Sequence, residues 1–342
     1  MLRSSPESVI DLSGIQAAWQ IITLESNVEC YHAGDRWALN LALRFVRMNS
    51  ADNMKDPDLR IIVLTGSDRP DIQAAWDDLR AYLHTVRGVV LVGVFSSDEP
   101  IPEDLAGDIV VVLGGDGSVL RGCRQLGRRQ LPIIGVNLGR LGFLTDLSPS
   151  EFRKGLPGLK RGQFQTVEHL MFECQHHRAD GTVITDLGLN EVNVTAAGSM
   201  KMLYIHLKID DMDVTTYSCD GLIISTPVGS TAHNLSAGGP ILRQELQCFA
   251  ITPICPHTLT VRPIVDSAER TFEISVRDAP PGVMLIIDGQ ISRLVDSADR
   301  ILVRRAEQTF KLIRLAGHSF YGTLHRKLGW QGHLDYRERR GH

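Results

Sequence analysis

The chain has 342 residues, 43% hydrophobic and 22% charged, with a formal net charge of −4. That length allows two domains with their own cores, and the balance is that of an ordinary globular chain. Slight acidity, with no basic patch interleaved with aromatics, argues against a nucleic-acid surface, and no apolar run approaches the ~20 residues of a membrane helix.

Six cysteines (Cys30, Cys123, Cys174, Cys219, Cys248 and Cys255) contain no CxxC pair. That spacing argues against a zinc site or a disulfide framework and suits a reducing compartment. The N-terminus carries acids early and lacks an apolar h-region, so it does not read as a secretory signal. The expected location is the cytoplasm. The basic stretch from His325 to Arg340 is diluted by Asp335 and Glu338 and reads as a solvated terminus.

Residues 1–57 form an extension without a recognisable role. Asp35–Met48 is its best helical candidate, and an alternative natural start lies at Met54. From Leu59 the pattern becomes α/β. Residues 60–64 (RIIVL) read as a strand, and Asp71–Val86 as a helix with Trp76, Leu79, Leu83 and Val86 on one face. Strands follow at 89–95 and 109–113, then a helix near Ser118–Leu126 and a strand at 131–136. Apolar runs alternating with helices predict a doubly wound parallel sheet, whose ligands bind beyond the carboxyl ends of its strands. Beyond Pro149 short strand-like segments dominate: Thr182–Val194, Leu203–Ile209, Leu222–Ser225, Thr271–Val276, Val283–Ile287 and Phe310–Ile313. They predict an all-β, sandwich-like C-terminal domain. Gly317–Trp330 turns helical again and is expected to return to the first domain. The expected division is therefore 58–148 with 318–342 as the α/β domain and 149–317 as the β-rich one, with the functional site between them.

Three segments carry the chemistry. In VVVLGGDGS (110–118), a buried strand ends in a turn that presents Asp116 among Gly114, Gly115 and Gly117. Glycines admit positive φ and let a phosphate approach the backbone, although Asp-Gly is also an ordinary turn pair. The run DGLIISTPVGSTAHNLSAGGPI (220–241) offers hydroxyls and unobstructed N–H groups, with a helix start at Ser230 or Thr231. By composition alone it is equally a surface loop. Asn190–Glu191 is the third: Glu191 can accept from ribose hydroxyls and Asn190 can serve a purine edge, or both are loop polars. His176–His177 beside Cys174 reads as structural, since adjacent strand residues face opposite ways. His257 reads as a residue of a PHT turn and Trp330 as packing.

Taken in order, LGGDGSVL (113–120), PIIGVNLGRLGFL (132–144), NE (190–191), the 220–241 run, ITPICPHTLTVRPIV (251–265), IDGQ (287–290) and TLHRKLGW (323–330) closely resemble the NAD kinase family. The resemblance spans roughly residues 59–331. It implies transfer of a phosphoryl group from ATP or polyphosphate to the 2′-hydroxyl of the adenosine ribose of NAD. It makes Asp116 the candidate general base, with Gly117 against the dinucleotide and Arg121 at a cationic or polar contact position. Asn190 and Glu191 would hold the adenosine side, and Lys201 matches a basic position after them. Asp220 would open the nucleotide loop, and Thr231, Ala232, His233, Asn234, Leu235 and Ser236 would line the base pocket. Cys255 and Gln290 correspond to later pocket positions. The resemblance also implies a homodimer or homotetramer. His233 stands where the family usually has tyrosine and Ser118 where threonine is common. Mg²⁺ is expected on the donor phosphates, with no all-protein metal cage. Two other readings remain open: a lipid-type GGDG kinase, and a catalytically idle dinucleotide-binding regulator.

Overall fold

The computed structural model describes residues 58–329 other than 67–68, 97–98, 140, 197–201 and 316–319. The extension over 1–57, Lys201 and the tail beyond residue 329 lie outside the described residues, and with them the expected helix at Asp35–Met48, the start at Met54 and Trp330. The described residues fall in one compact unit beginning at Asp56.

Four parallel strands open it: β1 (Leu59–Thr65), β2 (Val89–Ser96), β3 (Ile109–Leu113) and β4 (Ile133–Val136), in the order β2-β1-β3-β4. Their residues are apolar on both faces because helices cover both. Ile61, Val63, Val111 and Ile134 pack on Trp76, Leu79 and Leu83 of α1 (Pro70–Thr85) and on Phe152, Leu156 and Leu159 of α3 (Pro149–Lys160). Ile62, Leu64, Val110 and Val112 pack on Val119, Leu120, Cys123 and Leu126 of α2 (Asp116–Leu126). Proline at the first turn and a reciprocal Ser148–Glu151 capping box start α3.

Strand order reverses between β1 and β3, which places the loops after them at a topological switch point. There the Gly66 N–H donates to the Leu113 carbonyl at 3.2 Å. A Cβ at Gly66 or Gly114 would run into Ser118 Oγ, so both positions must be glycine for the loops to close.

The same sheet continues beyond β4 through β16 (Arg300–Arg314), which pairs parallel with β4 and antiparallel with β5 (Gln165–His177). With β6 (Val183–Gly188), β8 (Leu203–Ile209), β9 (Met212–Cys219) and β13 (Phe272–Arg277) it makes a ten-stranded sheet. A second, antiparallel sheet orders β12 (Ile264–Ser267), β11 (Cys248–Ile254), β10 (Gly221–Ser225), β7 (Glu191–Ala196), β14 (Val283–Ile287) and β15 (Ile291–Leu294). The two pack face to face over Phe172, Val192, Ile205, Leu222, Phe249, Phe272, Leu285 and Val303. Phe249 and Phe272 meet edge to face at 5.5 Å. The doubly wound α/β region and the β-sandwich are both present. The expected strand at Thr182–Val194 divides at Leu189–Asn190, and α5 (Phe320–Leu328) supplies the returning helix.

Candidate active site

Asp116 is the first residue of α2, two residues earlier than the sequence pattern suggests for the helix start. Gly115 is its extended N-cap (φ −98°, ψ −174°) and offers no side-chain cap. An acidic residue there suits the positive end of the helix dipole. Its carboxylate is not the exposed turn group expected from the motif; it is half-buried because the loop after β4 folds over it. Oδ1 accepts from the Leu144 N–H (3.0 Å), the Thr145 N–H (3.1 Å) and the Thr145 hydroxyl (3.0 Å). Oδ2 accepts from the Phe143 N–H at 2.8 Å and faces Lys327 Nζ at 3.9 Å. A Cβ at Gly142 would collide with Asp116 Oδ1 and Thr145 Oγ1.

That loop is itself anchored. Arg314, at the end of β16, pairs with the nearly buried Asp146 at 2.6 Å and donates to the Phe143 carbonyl at 3.2 Å. Of the three motif glycines only Gly114 adopts positive φ (139°). Gly115 and Gly117 leave open space where a Cβ would stand, which keeps the helix N-terminus approachable. Arg121 reaches across the switch point to the Gly66 carbonyl (3.3 Å), and its buried Nε has no partner among the described residues.

Asn190 and Glu191 are set by a residue that the sequence reading did not single out. The Asp288 carboxylate accepts the N–H groups of Leu189 (2.8 Å), Asn190 (2.7 Å) and Glu191 (3.1 Å). These bonds divide β6 from β7 and turn the chain at Asn190. Burial raises the Asp288 pKa to about 6 against the opposing pull of those three N–H groups. Glu191 is 6% exposed, and its Oε2 has no partner among the described residues. Burial first, then the Asp288 charge, pushes its pKa to about 8. A buried carboxyl oxygen without a partner costs stability, and a ligand hydroxyl would relieve it in either protonation state.

The loop after β10 lies against this pair. The Thr226 N–H donates to the Asn190 carbonyl (2.9 Å), the Thr226 hydroxyl donates to the Leu189 carbonyl (2.6 Å), and Gly229 packs on the Asn190 backbone. A 3₁₀ turn (Gly229–Thr231) and the single-turn α4 (His233–Ser236) follow. Thr231, Ala232 and Leu235 are half-buried, while His233 and Ser236 are exposed. Asn234 is buried: its Oδ1 accepts from the Thr252 hydroxyl (2.7 Å) and its Nδ2 donates to the Pro240 carbonyl (3.1 Å). Asn234 therefore shapes the loop rather than lining its surface.

Gln290 joins the two regions. Its amide donates to the Gly117 carbonyl (2.9 Å) and accepts from Arg124 (2.8 Å), so the turn through Asp288 and Gly289 ties α2 to the Asn190–Glu191 segment. Asp220 and Cys255 lie elsewhere within the chain. Antiparallel pairing sets Ser225 beside Glu191 and Gly221 beside Thr195, so Asp220 sits roughly 13–17 Å along the sheet from Glu191. There it neighbours Cys255 and lies 3.9 Å from His257. His176 is buried against Asp299 at 2.9 Å, while His177 contacts Gln175, on the opposite face as adjacent strand positions require.

Comparison with known proteins accounts for both regions. The family model for the ATP-NAD kinase N-terminal domain matches residues 101–164, and that for the C-terminal domain matches 189–315. The NAD kinase of Rhodopirellula baltica is 43% identical over 280 residues, covering 82% of this chain and 89% of that one. The NAD kinase of Geotalea daltonii is 40% identical over 232 residues, covering 68% and 81%. Among solved structures, yeast NADH kinase complexed with NADH superposes with a TM-score of 0.74 at 23% identity, covering 82% of this chain and 90% of that one. An NAD kinase from Archaeoglobus fulgidus in complex with ATP gives 0.60 at 29% identity, covering 79% and 98%. With its clamped aspartate, the Asn190–Glu191 turn and these relatives, the chain belongs to the NAD kinase family, phosphotransferases that act on NAD.

Proposed function

We propose that the protein moves the terminal phosphoryl group of ATP, or of polyphosphate, to the 2′-hydroxyl of the adenosine ribose of NAD, giving NADP. The observation that carries this is Asp116: a carboxylate fixed by four hydrogen bonds, with lone-pair capacity left on Oδ2, tied through Gln290 and Asp288 to Asn190–Glu191. Proton acceptance by a positioned carboxylate contributes about 10²–10⁴-fold. Positioning and charge neutralisation supply the rest, because phosphoryl transfer asks little covalent chemistry of a protein.

In this reading Asn190 and Glu191 hold the adenosine. The unpartnered Glu191 Oε2 meets a ribose hydroxyl, and Thr231, Ala232, His233, Leu235 and Ser236 line the base pocket around the bracing Asn234, with His233 offering a smaller stacking face than tyrosine. Gly115 and Gly117 leave the helix N-terminus open to donor phosphates, and Arg121 adds a cation at the switch point. Mg²⁺ in this reading is held mainly by the donor phosphates, as that ion commonly is. When bound there it would offset the donor's negative charge. A homodimer or homotetramer in the cytoplasm completes the proposal, with light scattering as the check on assembly. Incubation with Mg²⁺, either donor and NAD or NADH, read by an NADP-specific dehydrogenase, tests the reaction. Absence of NADP(H) in all four combinations refutes it. Phosphorylation of a diacylglycerol or sphingoid base instead would favour the lipid-kinase reading.

A further inference from the structure

The two oxygens of Asp116 are not equivalent. Oδ1 is saturated by three donors, whereas Oδ2 accepts the Phe143 N–H and otherwise faces Lys327 Nζ at 3.9 Å. That separation lies beyond hydrogen-bond reach. The ammonium rests instead over the Phe143 ring, 4.5 Å from its centroid, an attractive cation–π seat. Phe143 thus holds the carboxylate with its backbone and the cation with its ring. Helix α5 is docked at this point by Phe320, whose ring lies 6.2 Å from that of Phe143, and by buried Thr323 and Leu324. Lys327 and Asp116 each keep 30% of their side-chain surface exposed. Lys327 thus faces Oδ2 as an ion pair without a hydrogen bond among the described residues, and its ammonium stays accessible.

We propose that Lys327 is a further catalytic residue, which moves its charge from Asp116 Oδ2 onto the phosphoryl group during transfer. The inference rests on Asp116 being the base. In the step, the 2′-hydroxyl proton passes to Asp116 Oδ2 as the ribose oxygen bonds to phosphorus. The bond from phosphorus to the leaving oxygen breaks, and its electron pair stays on ADP or the shortened polyphosphate. Lys327 remains protonated throughout. Its displacement from Oδ2 delivers that charge where the transferring group needs it.

Lys327→Met keeps the apolar contact with Phe143 while removing the charge, and Lys327→Arg restores a cation. The methionine variant is expected to lose about 10²–10³-fold in kcat, with KM for NAD within about threefold of the parent. The arginine variant is expected to recover at least about tenfold of that loss despite its different shape. A structural role would not give this split or this recovery. Parent-like kcat in Lys327→Met overturns the proposal, and so does an arginine variant no better than methionine. Normal turnover in Asp116→Asn overturns the base assignment instead, so the two failures are read on separate variants.

Discussion

Replacing Glu191 by glutamine probes how the Asn190–Glu191 segment is built. Burial and the neighbouring Asp288 charge raise the Glu191 pKa from 4.5 to about 8 in the ligand-free protein. A carboxyl group with a folded value above its unfolded one binds its proton more tightly in the native state. The resulting stabilisation is fully present below about 4.5 and is lost as pH rises through about 8. At 1.36 kcal/mol per unit, the parent loses about 2 kcal/mol between roughly pH 6 and pH 8, which a glutamine that cannot ionise retains. The new amide N–H₂ brings its own desolvation cost of about 1–3 kcal/mol. That cost is independent of pH and cancels when the variant-minus-parent difference is compared at the two pH values. Urea unfolding without nucleotide should show this difference moving by about 2 kcal/mol in favour of the variant at the higher pH. A difference flat to within about 0.5 kcal/mol would mean that Glu191 is already ionised at the lower pH, and the burial argument would be wrong.

Two further substitutions test the clamp on Asp116. Gly142→Ala drives a Cβ against Asp116 Oδ1 and Thr145 Oγ1; misplacing the carboxylate should lower kcat about 10²-fold while calorimetric NAD affinity holds. Parent-like turnover would show that the loop yields without moving the base. Arg314→Met removes the Arg314 ion pair from the nearly buried Asp146 and a donor from the Phe143 carbonyl. Urea unfolding should register a loss of about 3–5 kcal/mol, and a loss under about 1 kcal/mol would remove Arg314 from the support of the loop.

The parallel sheet was legible because β1, β3 and β4 are buried on both faces and read as continuous apolar runs. The long strand β5 was not, and of β16 only Phe310–Ile313 was. Glu173, Gln175, His176 and His177 blur the alternation of β5, and β16 carries an irregularity between Arg305 and Thr309 that breaks its period. Asp116, Asn190–Glu191 and the loop after β10 were legible as motifs. What holds them was not, because it comes from far along the chain. The donors to Asp116 lie 27 to 29 residues away, and Asp288 bonds to residues 97 to 99 positions earlier. IDGQ was visible as a motif, and its glutamine was singled out, but nothing local marks Asp288 as the acceptor for three distant N–H groups. Lys327 sits in an unremarkable basic helix end whose meaning depends on Phe143. Asp220, which opens the same sequence motif as the loop after β10, is carried to the opposite end of that strand by β10 itself.

The central claim is that Asp116 takes the proton of the ribose hydroxyl. The most direct test is Asp116→Asn, with kcat for NADP formation measured beside the calorimetric Kd for NAD. The account predicts a fall in kcat of about 10²–10⁴-fold with Kd within about threefold of the parent. Turnover within about tenfold of the parent would contradict it, since a neutral amide cannot accept that proton.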